Sequence, residues 1–411
     1  MSTALTDDDV ARIRRRSHAV IIAGQALAGI GMGATFSAAA LLATELSGSP
    51  AWSGTATTMS TLGAAAAAVP LARLAARSGR SPALATGAGV AAVGAVLGIV
   101  ASALGLFWLF LVAMALLGVG TAVNLQSRFA ATDLSDPKHR GRDLAVVVWS
   151  TTIGAVLGPN LIGPGDWLGL ALGLPALSGV FVFALAAQLV AVTIYRFALR
   201  PDPLKTAERL GVERGVAAVE ARAADRNGVV TGILTLALSH ATMASVMAMT
   251  PVHLVDHGAT LVIVGLTISL HVAGMYGLSP VWGILSDRLG REPVIGIGQG
   301  MLLAALLCTS FGAESSEWVL AGLILLGLGW SASTVSGSGL VADSADPARR
   351  TVVQGRADLS MSLAGAVGAG SAGIVLAAIG YAGLSFVAIG LVAVVLVALA
   401  VRTAGRRSAA A

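Results

Sequence analysis

Few residues of this chain could bind a ligand or move a proton, and most of those lie inside apolar runs. His240 is followed by Met243 and Met247, and His271 by Met275. At helical spacing each set shares one face, which joins an imidazole that titrates near neutral pH to flexible, polarisable thioethers. Such a face suits amphipathic molecules of varied shape, and the two imidazoles are candidate proton carriers. The plainer reading is packing: satisfied histidines beside core methionines. Gln25 and Met32, seven residues apart, also share a face, with Gln25 as an uncharged substrate contact. Asn124 and Arg128 are four residues apart. Arg128 either pairs structurally, with Asp133 as the partner, or turns its charge to a cavity. Asn160 either meets substrate or satisfies backbone groups freed by Pro159. His253 and His257 read as solvated in an external loop.

Other chemistry is missing from the sequence. Cys308 is the single cysteine, so no disulfide framework or zinc cluster is expected, and no metal or cofactor. The two lysines, Lys138 and Lys205, do not end a G-x-x-x-x-G-K loop, which argues against an ATP-driven pump. No clustered His/Asp/Glu set or acyl-transfer motif points to a membrane enzyme.

The elements that position these residues follow from composition. Of 411 residues, 56% are hydrophobic and 11% charged, whereas soluble domains are about a quarter charged. Only a bilayer hides so much apolar surface, through helices of roughly 20 apolar residues. Twelve such runs recur, near 18–45, 53–76, 83–104, 107–131, 143–164, 172–197, 228–251, 259–284, 293–312, 317–341, 357–378 and 381–402. The expected fold class is an all-α membrane protein of twelve transmembrane helices. A polar side chain inside a span is costly, so each one is a functional candidate.

Arginine and lysine give the orientation. They fill the N-terminus, the breaks after the second, fourth, sixth, eighth and tenth runs, and the C-terminus. The remaining breaks carry Glu45, Asp166, Asp256, Glu314 and Glu317 instead. This alternation predicts a multi-pass protein of the cell membrane with both termini cytoplasmic. It also places the basic surplus, a net charge of +5, against the bilayer rather than nucleic acid. The opening apolar stretch runs on without a cleavage-like stop and reads as a retained first helix.

The two halves repeat. "ARSGRSP" at 76–82 aligns with "DRLGREP" at 287–293, an offset of 211, and "ATDLSDP" at 131–137 with "VADSADP" at 341–347, an offset of 210. The chain therefore divides into a cytoplasmic tail (1–17), a six-helix bundle (18–197), a cytoplasmic linker (198–227), a second bundle (228–402) and a tail (403–411). Duplicated halves are a common transporter design.

"GILSDRLGRE" resembles the signature of the major facilitator superfamily, G-x-L-x-D-R-x-G-R-[KR]. It matches at Gly283, Leu285, Asp287, Arg288, Gly290 and Arg291, and departs at Glu292. The first copy keeps Arg77, Gly79 and Arg80 but has Ala76 in place of the aspartate. "GAVLGPNLIGP" in the fifth span, with Gly154, Gly158, Pro159, Gly163 and Pro164, is similar to the G-x-x-x-G-P-x-x-G-G signature of family exporters, with one extra residue. Small-residue packing explains the same glycines. The resemblance implies two pseudo-symmetric six-helix bundles around a central site. It also implies a carboxylate, Asp287, set against the N-terminus of the fifth helix near Arg142 and Asp143. Such a latch, with no partner at Ala76, would favour the state closed to the cytoplasm.

The expected function is secondary transport by alternating access: export of small organic or amphipathic molecules by a monomer, driven by protons. No acidic residue sits in the middle of the first six spans, which lowers the odds of a purely cationic substrate. Uptake of a nutrient or anion, which Arg128 would favour, and a non-transporting receptor of the same fold are the alternatives.

Overall fold

The computed structural model describes residues 6–49, 52, 54–158, 161–175, 177–213 and 225–410, with some side chains inside helices left out. Every regular element among them is helical. The order is α1 (Asp7–Ser47), α2 (Thr55–Ser78), α3 (Arg80–Leu104), α4 (Phe107–Ala130), α5 (Arg140–Leu157), α6 (Ile162–Ala171) and α7 (Val180–Thr193). The chain continues with α8 (Pro203–Glu213), α9 (Arg226–Asp256), α10 (Leu261–Tyr276), α11 (Ser279–Leu289), α12 (Arg291–Phe311), α13 (Ser316–Ser344) and α14 (Arg350–Ala410).

The expected spans map onto these helices with three changes. The fifth is expected as one run over 143–164. Instead α5 stops at Leu157 and α6 starts at Ile162, so the sixth span begins only at Val180. The eighth divides into α10 and α11 at Gly277 and Leu278. There Pro280, in the first turn of α11, has no N–H to continue the helix. The last two join as α14, interrupted only at Gly380, whose φ of 73° is left-handed. Nine helical stretches among the described residues are long and apolar enough to cross a bilayer. One of them, Arg350–Gly405, holds two expected spans. With α1 and α5 as the first and fifth, the fold is that of a twelve-helix membrane protein. Helix α1 starts ahead of its apolar run because Thr6 and Asp9 cap it reciprocally.

Packing sorts the described residues into two compact units. The first takes them from 1–136, 150–222 and 354–359, the second from 137–149, 223–353 and 360–411. In the first, α4 packs against α1, α2 and α3, and α7 against α1 and α3. Small residues allow the approach: a Cβ on Gly63 or Gly118 would run into the carbonyl of Ala115 or Ser60. The core gathers Leu42, Phe110, Met114 and Phe181. In the second unit α13 takes the corresponding place, against α9, α10, α11 and α12. A Cβ on Gly298 or Gly329 would crowd the facing backbone. Leu144, Val148, Trp282 and Val335 form part of its core.

Candidate functional site

In the first unit the buried polar groups line up along α4. Gln25 of α1 is 1% exposed. Its Nε2 donates to the Asn124 side chain, and at 3.2 Å to Thr151 Oγ1 on α5. Gln25 and Asn124 are thus brought together. The side chain of Met32 lies outside the described residues, as do Pro159 and Asn160. Gly154 does admit a neighbour: a Cβ there would overlap the Gly29 backbone of α1. Among the described residues nothing lies within 4 Å of a Cβ built on Gly163.

Arg128 does not pair with Asp133. Its Nη2 donates to Asp358 Oδ1 at 2.6 Å, with the two side chains 3% and 0% exposed. Asp133 is taken by Arg80, Nε to Oδ2 at 2.8 Å. Arg80 Nη2 also donates to Gln354 Oε1 at 2.9 Å. The reason is direction: Arg128 lies on the last turn of α4 and its side chain runs inward, whereas Asp133 follows the helix end and meets the head of α3. Asp358 and Gln354 are not singled out by the sequence reading. One signal for them existed: residues 359–401 carry no charge, so Asp358 is the last acid before a long apolar run.

In the second unit His240 is half-buried on α9. Its Nδ1 accepts the Trp330 indole N–H at 3.0 Å. The Tyr276 ring meets Trp330 edge-on at 5.8 Å. Met243 is buried and Met247 half-buried beside His240. His271 and Met275 share a face of α10 that is buried against α13. His271 Nδ1 bonds the Leu323 carbonyl at 2.7 Å, which fixes that nitrogen as the donor. His253 is not solvated as expected. Helix α9 continues past it, so it is buried, donates to the Ala313 carbonyl at 2.6 Å and stacks on Tyr381 at 4.2 Å. His257, one turn on, is exposed. Gln299, unremarked in the sequence, is fully buried and donates to Ser239 and Ser333.

The repeated loops hold the clearest geometry. Asp287, at the end of α11, accepts the backbone N–H of Gly141 at 2.7 Å and of Arg142 at 2.8 Å, at the opening of α5. Two orphan amides and a helix dipole meet one carboxylate. Arg291 holds the same carboxylate at 2.8 Å and Asp343 at 3.0 Å. Gly290 has φ 94° and Gly79 φ 101°, so both copies require glycine at the helix junction. Arg77 and Arg288, equivalent in the repeat, are both exposed. At Ala76 no carboxylate exists. Asp202, just before α8, instead accepts the Ser81 N–H at 2.7 Å at the head of α3. Glu292, the departure from the signature, pairs with Arg402 at 2.7 Å, and Arg402 also binds Asp225.

This arrangement of duplicated helices, Gly–Arg junctions and Arg–Asp clamps has a family counterpart. The profile of the Major Facilitator Superfamily matches residues 21–272 and again 232–410. The chain belongs to this superfamily. The transporter is 36% identical to an uncharacterized MFS-type transporter, YdeG, of Bacillus subtilis, over 86% of this chain and 84% of that one. It is 27% identical to the riboflavin transporter RfnT of Brucella anthropi, over 84% and 85%. Among solved structures, the human organic anion transporter MFSD10 superposes with a TM-score of 0.76 at 17% identity, over 94% of this chain and 99% of that chain. That likeness bears on the fold alone.

Proposed function

We infer that this transporter works by alternating access and exports small, largely uncharged organic or amphipathic molecules, driven by protons. The observation that carries the reading is that the polar groups set among the helices of each unit are net-neutral. Gln25 and Asn124 offer amides, His240 with Met243 and Met247 offers an adaptable apolar face, and Arg128 is neutralised by Asp358. A substrate anion would have to compete with that carboxylate, which counts against the uptake of anions that a lone Arg128 would favour. Export is supported by the Gly154–Gly29 approach within the exporter-like stretch. The orientation rests on the arginines: both termini cytoplasmic in the cell membrane, with the monomer as the working unit. In this reading Asp287 acts as a latch at the opening of α5, and favours the state closed to the cytoplasm.

His240 and His271 remain proton candidates, and Asp358 joins them. The test is transport by purified protein in liposomes under an imposed pH gradient, with substrates found by thermal-shift screening at two pH values. Loss of gradient-driven transport in His240→Ala, His271→Ala or Asp358→Asn, with exchange retained, is the expected result. Wild-type transport indifferent to the gradient would sink proton coupling.

A second reading concerns substrate class. Tyr276 and Trp330 around His240 present ring faces on which a flat heteroaromatic molecule could stack, and a relative carries the name of a riboflavin transporter. Riboflavin therefore belongs in the first panel. Stabilisation by riboflavin that Trp330→Ala abolishes would favour this reading.

A further inference from the structure

One outward stripe of the first unit carries charge where its counterpart in the second unit is apolar. Leu62, Ala66, Pro70, Arg73 and Arg77 fall on one face of α2, and all five are exposed. Helix α2 is long and apolar enough to cross a bilayer. By the 211-residue offset of the repeat, Pro70, Arg73 and Arg77 correspond to Val281, Ile284 and Arg288 of α11. Val281 and Ile284 are 51% and 39% exposed. Apolar side chains so exposed on a membrane helix face lipid. The stripe therefore faces lipid in both copies, and in the first it ends in two arginines. Arg73 lies about 8 Å before the end of α2 at Ser78, at the depth of Ile284 in the other copy.

Neither guanidinium has a side-chain partner among the described residues. Lys205 of α8 stands beside them. Its Nζ donates to the Ala76 carbonyl at 3.3 Å, in the last turn of α2, and to Glu208 at 2.9 Å. The loop carboxylate is missing at Ala76. The other acid at hand, Asp202, accepts from the amides of Ser81, Leu204 and Lys205. Three cations thus meet two acids, and neither acid is on an arginine. In the second copy Asp287 adjoins Arg288 and Ile284 is neutral, so the basic surplus is not repeated.

We propose that Arg73, Arg77 and Lys205 bind the headgroup phosphate of an anionic phospholipid. An arginine on a lipid-facing stripe is costly without a counter-charge. The protein supplies none here, and a phosphodiester lies at that depth, where the span meets the headgroups. Two guanidiniums one helical turn apart can share its oxygens, and Lys205 adds a point charge. The basic surplus favours a headgroup of net negative charge over a zwitterionic one. The acyl chains then run along Pro70, Ala66 and Leu62 of the same stripe, contacts that a free phosphate could not use. That the lipid belongs to the inner leaflet rests on the orientation proposed above; the binding itself does not depend on it.

Native mass spectrometry tests it, on the full chain delipidated in detergent and titrated with phosphatidylglycerol, phosphatidylcholine or inorganic phosphate. The wild type is expected to bind phosphatidylglycerol about tenfold or more tighter than phosphatidylcholine. Arg73→Ala and Arg77→Ala each weaken phosphatidylglycerol binding by about fivefold. Arg73→Lys weakens it less, and Arg288→Ala leaves it unchanged. Each variant keeps the wild-type melting temperature in lipid-free detergent, which separates lost lipid from lost fold. Equal affinity for the two lipids overturns the site. So does an Arg73→Ala, Arg77→Ala double variant that binds phosphatidylglycerol as the wild type does. Inorganic phosphate that competes as well as the lipid would mark a soluble anion and overturn the lipid assignment. A labelling assay that put Arg77 on the outer side would instead defeat the orientation and leave the lipid result standing.

Discussion

The loop between α2 and α3 and the loop between α11 and α12 descend from one sequence and share a backbone, yet they anchor different things. Both turn at a glycine of positive φ, Gly79 and Gly290, and both follow it with an arginine clamped to an aspartate, Arg80 to Asp133 and Arg291 to Asp343. Their small-residue contacts are exchanged: Gly283 faces Ala145, and Ala72 faces Gly355. Their anions differ outright. Asp287 sits on the amides of Gly141 and Arg142, while its counterpart is Ala76. The first unit instead carries the buried pair of Arg128 and Asp358. The glycine is dictated by backbone sterics and the clamp by charge pairing, so both survive divergence. The anchoring anion needs only a donor to hold, and the two units hold theirs with different donors.

The buried pair is where the comparison breaks most violently. Arg128→Ala or Asp358→Ala alone should lower stability by roughly 3–5 kcal/mol, because each removes one half of a buried ion pair. Arg128→Met with Asp358→Leu together should recover most of that loss in a thermal unfolding assay in detergent. If the double variant is no better than the singles, the pair is not an isolated electrostatic unit.

The exchanged small residues come next. Gly283→Ala and Gly355→Ala should each cost about 1–3 kcal/mol by overpacking. Rescue should differ. A Cβ on Gly355 chiefly meets the Ala72 side chain, so Ala72→Gly restores it. A Cβ on Gly283 also meets the Gly141 carbonyl, so Ala145→Gly restores less. Equal rescue at both sites would erase this distinction.

The smallest differences lie on the loops. Asp287→Asn should cost roughly 1.5–3 kcal/mol, the range for hydrogen bonds to a charged group. Asp202→Ala, which uncaps α8 and the head of α3, should cost about 0.5–2 kcal/mol. Exposed Arg77→Ala and Arg288→Ala should each stay within about 0.5 kcal/mol. A large effect at either arginine would mean that the repeat uses it for more than orientation.

Much of this was legible in the sequence. Apolar runs gave the twelve spans, and two matched heptapeptide pairs gave the duplication, because both signals depend on local composition and order. Gly79, Gly290 and the Asp287 carboxylate were visible as a motif. The helix breaks at Gly158 and Leu278 blurred the boundaries, since a hydropathy run does not register a missing backbone hydrogen bond. The polar sites fared unevenly. Gln25 and Asn124 share a network, but Arg128 chose Asp358 over the nearer Asp133, and His253 turned inward.

The sequence by itself determined that the chain is a duplicated membrane protein, where it turns, and which copy keeps the loop carboxylate. Hydrophobicity, glycine and charge bias act over a few residues, so one dimension suffices. Only the tertiary structure decided the partners: Asp358 for Arg128 across 230 residues of chain, Gln354 for Arg80, Trp330 for His240. A buried charge takes whichever complementary group the packed helices place beside it, and separation along the chain does not enter that choice.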